Sequence, residues 1–224
     1  MLIHMFALST ILFETVAPVQ GGNAVHIATY IDVQSNAVDK GISLIKQYRE
    51  QSRAESGNSA VDVVQEIARP NRFVIIEVWK DQSAFDAHEH ADSTSRFRTG
   101  LSAIHNSPFD QRVHRPFAID SRPVAAGREM VSVVTHVDVP PQRTNETEML
   151  LRTLADESRH DDGNVRYEVF QQAASRNHFT VFAVWKEAKA FNSYEMRPHT
   201  RQFRTALAPM LGAPYDERLY KQLN

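Results

Sequence analysis

The stretch Thr29-Tyr30-Ile31-Asp32-Val33 returns 106 residues later as Thr135-His136-Val137-Asp138-Val139. The same shift, without a gap, aligns Val78-Trp79-Lys80 with Val184-Trp185-Lys186. Over the 93 positions that can be aligned in this way, 28 are identical. Agreement over that length without an insertion indicates a tandem duplication. The 224 residues therefore contain two copies of one smaller unit.

Each copy is predicted to run strand-helix-strand-strand-helix-strand. In the first copy, the alternation of His26–Val33 with period two is typical of a strand. Apolar side chains at helical spacing predict a helix over 37–56, which Gly57 ends. The other predicted elements of this copy are strands over 60–66 and 72–80, a second helix over 83–105 and a last strand over 110–115.

This order of elements is that of the ferredoxin-like split βαβ unit. The predicted fold class is α+β, with two ferredoxin-like βαββαβ units packed as an intramolecular pseudo-dimer, which the family resemblance given below implies to be a pseudo-dimeric α/β barrel. We expect a first domain over 25–117, a linker over 118–129 and a second domain over 130–224. Pro198 is expected to split the second helix of the second domain, because proline interrupts the backbone hydrogen bonds of a helix. Further association into a homodimer stays open.

Residues 1–24 precede the first domain, and their role stays open. The apolar run Met1–Phe13 is too short to span a bilayer. It could be the apolar core of a signal peptide with a cleavage site at Gly22-Asn23-Ala24, but no Lys or Arg precedes it. A leader on a cytoplasmic protein is slightly favoured over a signal segment for export to the periplasm.

Composition excludes several classes of protein. The 25 basic and 27 acidic residues leave no positive excess for binding nucleic acid. The absence of cysteine excludes disulfides, thiolate metal sites and cysteine nucleophiles. His88 and His90 cannot bind one ion together, since residues two apart on a helix point in nearly opposite directions. The sequence predicts no metal site, no nucleic-acid partner and no membrane partner.

Short motifs recur in the same order in both copies. In the first copy they are Ser52-Arg53, Gly57-Asn58, Asn71-Arg72-Phe73, Glu77-Val78-Trp79-Lys80, Ala84-Phe85 with His88-Glu89, and Phe97-Arg98. In this order and spacing they resemble the antibiotic biosynthesis monooxygenase domain, present here twice. The resemblance implies a dimeric α/β barrel that oxidises phenolic or quinol substrates with O₂ as co-substrate, without metal, flavin or haem. Relatives of this type include isomerases, haem-degrading enzymes and proteins of no known activity, so the family does not fix the function.

Oxygenation without a cofactor requires a dry aromatic pocket and a group that accepts a proton. Glu77 and Trp79 share one face of a strand, and we expect His88 on the next helix to converge with them if these faces meet. His88 is then the candidate acid/base or substrate orienter and Trp79 a wall of the pocket, with Phe85 and Phe97 as further walls. The alternative is a core tryptophan and a histidine on the helix surface.

The second copy departs from this pattern. Ala183 replaces Glu77, and Tyr194 replaces His88. Either one site has degraded or the two sites have different substrates. We expect the first copy to be the active one, because it has both titratable groups. The candidates in the second copy are His199 as a catalytic histidine and His136, Asn164, Trp185, Phe191 and Tyr194 as substrate-binding residues.

Two further positions complete the candidate substrate-binding residues. Asn58, like Asn164, lies in the region where the family resemblance implies an asparagine that holds the substrate oxygen; the alternative is a turn asparagine. Tyr30 is the counterpart of His136. Haem-degrading relatives use a first-strand asparagine and a late second-helix histidine. Thr29, Tyr30 and Arg98 lie near those places here, so haem binding is not expected.

The sequence thus predicts a cofactor-independent monooxygenase that oxidises a small phenolic or quinol-type aromatic molecule with O₂. Two alternatives stay open. One is a small-molecule-binding or stress-associated protein of the same fold that has no turnover. The other is a small-molecule isomerase.

Overall fold

The computed structural model describes residues 23–120, 122 and 129–223. Residues 1–22 of the predicted leader and most of the predicted linker therefore lie outside the described residues. The domain boundaries stay a prediction.

The two units repeat the same order of elements. The first consists of β1 (Val25–Asp32), α1 (Val38–Arg53), β2 (Asn58–Glu66), β3 (Arg72–Trp79), α2 (Gln82–Glu89), α3 (Asp92–Ser102) and β4 (Asp110–Ala118). The second consists of β5 (Val131–Asp138), α4 (Thr144–Ser158), β6 (Asn164–Gln172), β7 (His178–Trp185), α5 (Ala188–Glu195), α6 (Pro198–Leu207) and β8 (Asp216–Gln222). Both ferredoxin-like units and the α+β class are confirmed.

The eight strands form one closed barrel in the order β1-β3-β2-β8-β5-β7-β6-β4. The units are joined by two antiparallel pairs, β2 with β8 and β4 with β6. In each joining pair, the last strand of one unit lies beside the second strand of the other, and the closed barrel leaves no strand edge unpaired. The predicted pseudo-dimeric barrel within one chain is confirmed.

The prediction of one continuous second helix in the first unit is wrong. The chain forms two helices there, α2 ending at Glu89 and α3 beginning at Asp92. His90 ends α2, because its ring nitrogen Nδ1 lies 2.7 Å from the carbonyl oxygen of Asp86, and Ala91 is extended. In the second unit the break occurs as predicted, and α6 begins at Pro198.

Strand alternation divides the side chains between two environments. Residues such as Ile31, Val63 and Ile75 face the helices and form the core of the first unit. Their neighbours in sequence face the inside of the barrel, where Val64 of the first unit and Phe182 of the second belong to one shared cluster. The side chain of a candidate residue on a strand therefore faces either the helices of its own unit or the shared interior of the barrel.

Gly57 brings the start of α2 close to the end of α1. Its φ of 112° lies in the region that favours glycine. A Cβ at this position would lie 2.7 Å from Cβ of Ala84. Gly163 has the same relation to Ala190, at 2.5 Å. This close approach sets α2 over the end of β3, which places the residues discussed next.

Among the helices of the described residues, none combines the length and the apolar character needed to cross a bilayer.

Candidate active site of the first unit

Glu77 and Trp79 lie near the end of β3 and face the helix layer. Both side chains are fully buried. Trp79 is the kind of large residue that a helix–sheet core readily accepts. A carboxyl group in such a place is exceptional, because burial strongly disfavours its charged form. Glu77 therefore requires polar partners in the same layer.

His88 of α2 reaches this point of the sheet. Asp81 caps the start of this helix, because its carboxylate accepts a hydrogen bond from the backbone N–H of Ala84 at 2.8 Å. His88 is fully buried, and its ring stacks on Trp79 with the centroids 4.4 Å apart. Its Nε2 lies 3.7 Å from Oε1 of Glu77. The expected convergence of these three side chains is present.

Tyr48 of α1 connects the histidine and the carboxyl group. Its Oη lies 2.7 Å from Nε2 of His88 and 3.1 Å from each carboxyl oxygen of Glu77. On the other side of the imidazole, Nδ1 lies 3.1 Å from both carboxylate oxygens of Glu55, just beyond the end of α1. Four titratable groups thus form one continuous chain, which we call the Glu55–Glu77 network.

The surroundings of the network shift the proton affinity of its members. Burial raises the pKa of Glu77 to about 8, and the nearby carboxylates of Glu89 and Glu55 act in the same direction. The hydrogen bond from Tyr48 and the charge of Arg98 act against this rise. Burial also raises the pKa of Tyr48 well above its usual value, with Glu77 as the next cause. Near neutral pH, Glu77 is therefore a carboxyl group that can either give or take a proton.

Tyr48 and Glu55 are site residues that the sequence analysis missed. Tyr48 belongs to the apolar row of α1, and an aromatic residue with a polar tip in such a row is a signal that could have indicated it. Its counterpart in the second unit is Leu154. Because Tyr48 is 40 residues away from His88 in the chain, only the packing of α1 on the sheet brings them together.

Nε1 of Trp79 and Nδ2 of Asn58 are among the buried donors of the first unit that have no hydrogen-bond partner within the described residues. The two residues are paired directly across β2 and β3. A buried indole N–H normally has a partner. In the second unit Nε1 of Trp185 is also without one, whereas Asn164 accepts a hydrogen bond from Arg122 at 2.7 Å.

A small cavity of about 180 Å³ opens beside α3. Its walls include Ile31, Arg98, Leu101 and Phe109. Arg98 donates to the carboxylate of Glu89 at 2.6 Å, its guanidinium lies 5.3 Å from the ring centre of Phe109, and its buried Nε has no partner among the described residues. The surface of the cavity is mostly apolar, but Arg98, Asp32 and His105 lie at its wall, and the candidate Tyr30 lines it as well.

One layer of α3 separates this cavity from the network. Arg98 lines the cavity, and the preceding Phe97 stacks on Tyr48 with ring centres 4.1 Å apart. Phe85 is buried and packs with Trp79. The wall residues expected from the sequence therefore surround the network itself.

The second unit places different chemistry at the equivalent point. Tyr194 packs on Trp185 with ring centres 4.6 Å apart, and its hydroxyl lies 3.0 Å from that of Tyr167. Phe191 lies 6.4 Å from Trp185. Ala183 provides no titratable group. The two hydroxyl groups are hydrogen-bonded to each other, and burial raises the pKa of Tyr194 to about 12, so this phenol stays protonated near neutral pH and gives up its proton less readily than an exposed tyrosine.

His199 does not enter this cluster as His88 enters the first. Its Nε2 lies 3.0 Å from Oδ2 of Asp161, the counterpart of Glu55, and its side chain is 19% exposed. Its ring centre is 6.1 Å from that of Tyr194. His199 therefore lies at the rim of the second site.

Tyr30 and His136 lie away from both clusters. They occupy equivalent positions on β1 and β5, and their rings meet each other with centres 5.0 Å apart. Strand alternation directs them into the barrel, on the opposite face of the sheet from Glu77. Arg112 lies over the ring of Tyr30 at 4.8 Å. The structure does not bring either residue to the Glu55–Glu77 network.

In the described part of the chain, no three histidine or carboxylate side chains are grouped so that they could hold a metal ion.

Comparison with known proteins identifies the family. The profile of the family described as antibiotic biosynthesis monooxygenase matches residues 24–100 and again residues 130–206. The chain belongs to this family. The two matches contain the two strand–helix layers described above, and the resemblance inferred from the motifs is confirmed.

Relatives of known name match one unit at a time. The chain is 25% identical over 87 residues to a Bacillus subtilis protein named "Putative monooxygenase YcnE", a match that covers 39% of this chain and 92% of that protein. It is 24% identical over 98 residues to the uncharacterised protein sll1783 of Synechocystis, covering 44% of this chain and 67% of that one. The single-unit length of the first relative agrees with a duplication within the family.

Solved structures match the whole barrel. A protein from Fusobacterium nucleatum, described as a "putative monooxygenase", superposes with a TM-score of 0.81 at 14% identity, covering 90% of this chain and 93% of that one. A structure described as an anthrone oxidase-like protein gives a TM-score of 0.71 at 13% identity, covering 90% and 92%. At these identities the likeness shows the fold alone.

Proposed function

We propose that the protein is a cofactor-independent monooxygenase that oxidises a small phenol or quinol with O₂, and that the first unit carries the reaction. The observation that carries this proposal is the Glu55–Glu77 network, in which an imidazole and a carboxyl group share a fully buried position against Trp79. Burying titratable groups lowers the stability of the folded protein, and buried clusters of such groups are typical of functional sites. The family and the names of the relatives support oxygen chemistry as that use.

The reaction begins with removal of the phenolic proton, because only the anion is electron-rich enough to react with O₂. The best general base has a pKa near the working pH. Glu77, with its pKa raised to about 8, meets that condition, and His88 lies within reach of the same proton.

The overall step balances without a further reductant. A phenol with a free ring position and O₂ give a quinone and water: one oxygen atom enters the ring, and the other leaves with the hydroxyl hydrogen and the ring hydrogen. The four electrons that reduce O₂ come from the substrate. No step requires a metal or an organic cofactor.

The cavity beside α3 supports a single-ring substrate. An apolar cavity of about 150 Å³ accepts one benzene ring, and this cavity has about 180 Å³. Arg98 offers a positive charge and an unused Nε–H to a phenolate oxygen. For the hydroxyl group to reach His88, the layer formed by Phe97 and Arg98 must move, so binding and a local displacement of α3 are coupled in this proposal.

The test is oxygen consumption with a panel of monocyclic phenols and hydroquinones, followed by mass spectrometry of the product formed under ¹⁸O₂. We expect uptake of one O₂ per product and one labelled oxygen in the quinone. Conversion at the same rate without O₂, to a product of unchanged mass, would identify an isomerase instead. Thermal stabilisation by a ligand without any conversion would identify a binding protein.

A further inference from the structure

The Glu55–Glu77 network has one end in solvent and one end in the core. The side chain of Glu55 is 24% exposed, whereas those of His88 and Glu77 are fully buried. Between these ends, each link is a contact between a donor and an acceptor at 3.1 Å or less. Glu77 has no exposed surface of its own through which it could exchange a proton directly.

We propose that Glu55, His88 and Tyr48 form a proton path between solvent and Glu77, with Glu55 as the outer entrance. The inference rests on the proposed function, since it assigns the route by which the acid–base site of the first unit exchanges protons. Glu55 is a positioning residue here: it acts through His88 and does not touch the substrate.

The protons move in one concerted relay, so that His88 and Tyr48 are neutral before and after it and one negative charge passes from Glu77 to Glu55. At the start Glu55 is protonated, His88 has its proton on Nε2, and Tyr48 donates to the carboxylate of Glu77. Glu55 gives its proton to Nδ1 of His88, Nε2 gives its proton to Tyr48, and Tyr48 gives its own to Glu77. At the end Glu55 is a carboxylate and Glu77 is protonated, while His88 and Tyr48 have each gained and lost one proton. The reverse sequence carries a substrate proton outward.

Few other polar side chains of the described residues contact the path. Thr94 of α3 lies 3.4 Å from both ring nitrogens of His88, and Ser93 lies 3.4 Å from Glu55. The other charged groups near Glu77 are Glu89 of α2 and Arg98 of α3, which bind each other at 2.6 Å. Among the described residues, the titratable side chains in direct contact with the carboxyl group of Glu77 are Tyr48 and His88.

The second unit lacks this path although it retains an outer carboxylate. Asp161 corresponds to Glu55, but its imidazole partner His199 is at the rim, and the buried pair Tyr167 and Tyr194 lies on the other side. Ala183 leaves no inner carboxyl group to serve. The complete path therefore occurs in the first unit, where the buried carboxyl group of Glu77 needs a route for its proton.

The test measures the protonation of Glu77 in the whole chain and in single-residue variants of it, without substrate or O₂. After a rapid pH jump, the infrared band of the protonated carboxyl group is recorded against time, and the band of Glu77 is the one missing in Glu77→Gln. In Glu55→Gln we expect this band to change about tenfold more slowly, or slower still, and to reach the same final amplitude. The reason is that glutamine keeps the contact with His88 but cannot pass on a proton. Tyr48→Phe should slow it as well.

The control is Glu50→Gln, which removes the same charge from an exposed position of α1. It should leave the rate unchanged. An unaltered rate in Glu55→Gln would overturn the proposal, and so would slowing in Tyr48→Phe alone, since the proton would then enter elsewhere. Because the readout requires no turnover, failure of the path and failure of the oxygenase proposal are separate results.

Discussion

The two units place different chemistry on one scaffold. Three buried positions of the first unit, Tyr48, Glu77 and His88, are Leu154, Ala183 and Tyr194 in the second. The tryptophan of β3 and its counterpart on β7 are both retained and fully buried. The three polar groups are therefore exchanged together. This is the expected behaviour of a buried network, because removing one member leaves the others without partners.

A second difference lies at the edge of the sites. Arg98 faces the carboxylate of Glu89 and the amide of Gln111, whereas Arg204 faces two carboxylates, Glu195 and Glu217. In the first unit the arginine thus has fewer carboxylates to share its charge with. We therefore expect the first unit to be better suited to an anionic ring than the second, as the proposed phenolate substrate requires.

The largest expected effect comes from removing the imidazole. We expect His88→Ala to lower kcat by about 10²- to 10⁴-fold, the usual contribution of a positioned acid or base. Oxygen uptake at saturating phenol measures this. The control His160→Ala removes an exposed histidine of the second unit and should retain full activity. If the two variants have equal rates, His88 has no part in the reaction.

Installing one residue of the network in the second unit should destabilise it. Ala183→Glu buries a carboxyl group without partners, at an expected cost of about 3 kcal/mol in the free energy of unfolding. Adding Leu154→Tyr and Tyr194→His should recover part of this loss, because the carboxyl group then has the partners it has in the first unit. Urea unfolding of the single and triple variants measures the difference. A triple variant less stable than the single one would contradict the account of the network.

The pH dependence of stability should distinguish Glu77. Its pKa in the folded protein, about 8, lies above the ordinary value of 4.5. The folded state therefore holds an extra proton between these values. The stabilisation is fully present below pH 4.5 and is lost as the pH rises through 8. The expected slope is about −1.4 kcal/mol per pH unit.

Glu77→Gln should lack this slope. Burial lowers the pKa of His26, His114 and His136 to about 4, which makes stability rise with pH between about 4 and 6.5. That contribution is the same in both proteins and cancels in the difference between their unfolding curves. Parallel curves for the two proteins from pH 5 to 8 would show that Glu77 titrates normally.

The smallest effect is expected at the edge of the first site. Gln111→Glu gives Arg98 the second carboxylate that Arg204 has, and should raise KM for an anionic phenol about fivefold with little change in kcat. Gln82→Glu adds the same charge at an exposed position of α2 and is the control. A KM change of equal size in both variants would make the effect one of overall charge.

The ungapped repeat and the period-two alternation were sufficient to predict two ferredoxin-like units packed as a pseudo-dimer, whereas the barrel was implied by the family resemblance. The alternation also placed Glu77 and Trp79 on one face of the strand. Three-residue spacing placed Phe85 and His88 on one face of the following helix. The capping of α2 by His90 could not be read in this way, since it depends on a side chain bonding back to the carbonyl of Asp86.

The rest of the site depends on long-range packing. Tyr48 and Glu55 reach His88 only because α1 lies across the end of β3, a relation that no local spacing contains. Tyr30 could have been separated from the site by its alternation with Thr29 and Ile31, which places it on the interior face of the sheet.

The most direct test of the central claim compares two buried phenols, one from each unit. Tyr48→Phe removes the hydroxyl that contacts His88, and Tyr167→Phe removes the one that contacts Tyr194. Incorporation of ¹⁸O from ¹⁸O₂ into the quinone product is measured for both variants at saturating phenol. The account predicts that Tyr48→Phe loses most of the labelled product and Tyr167→Phe forms it at the rate of the unaltered protein. Loss of labelled product in Tyr167→Phe with full activity in Tyr48→Phe would contradict it.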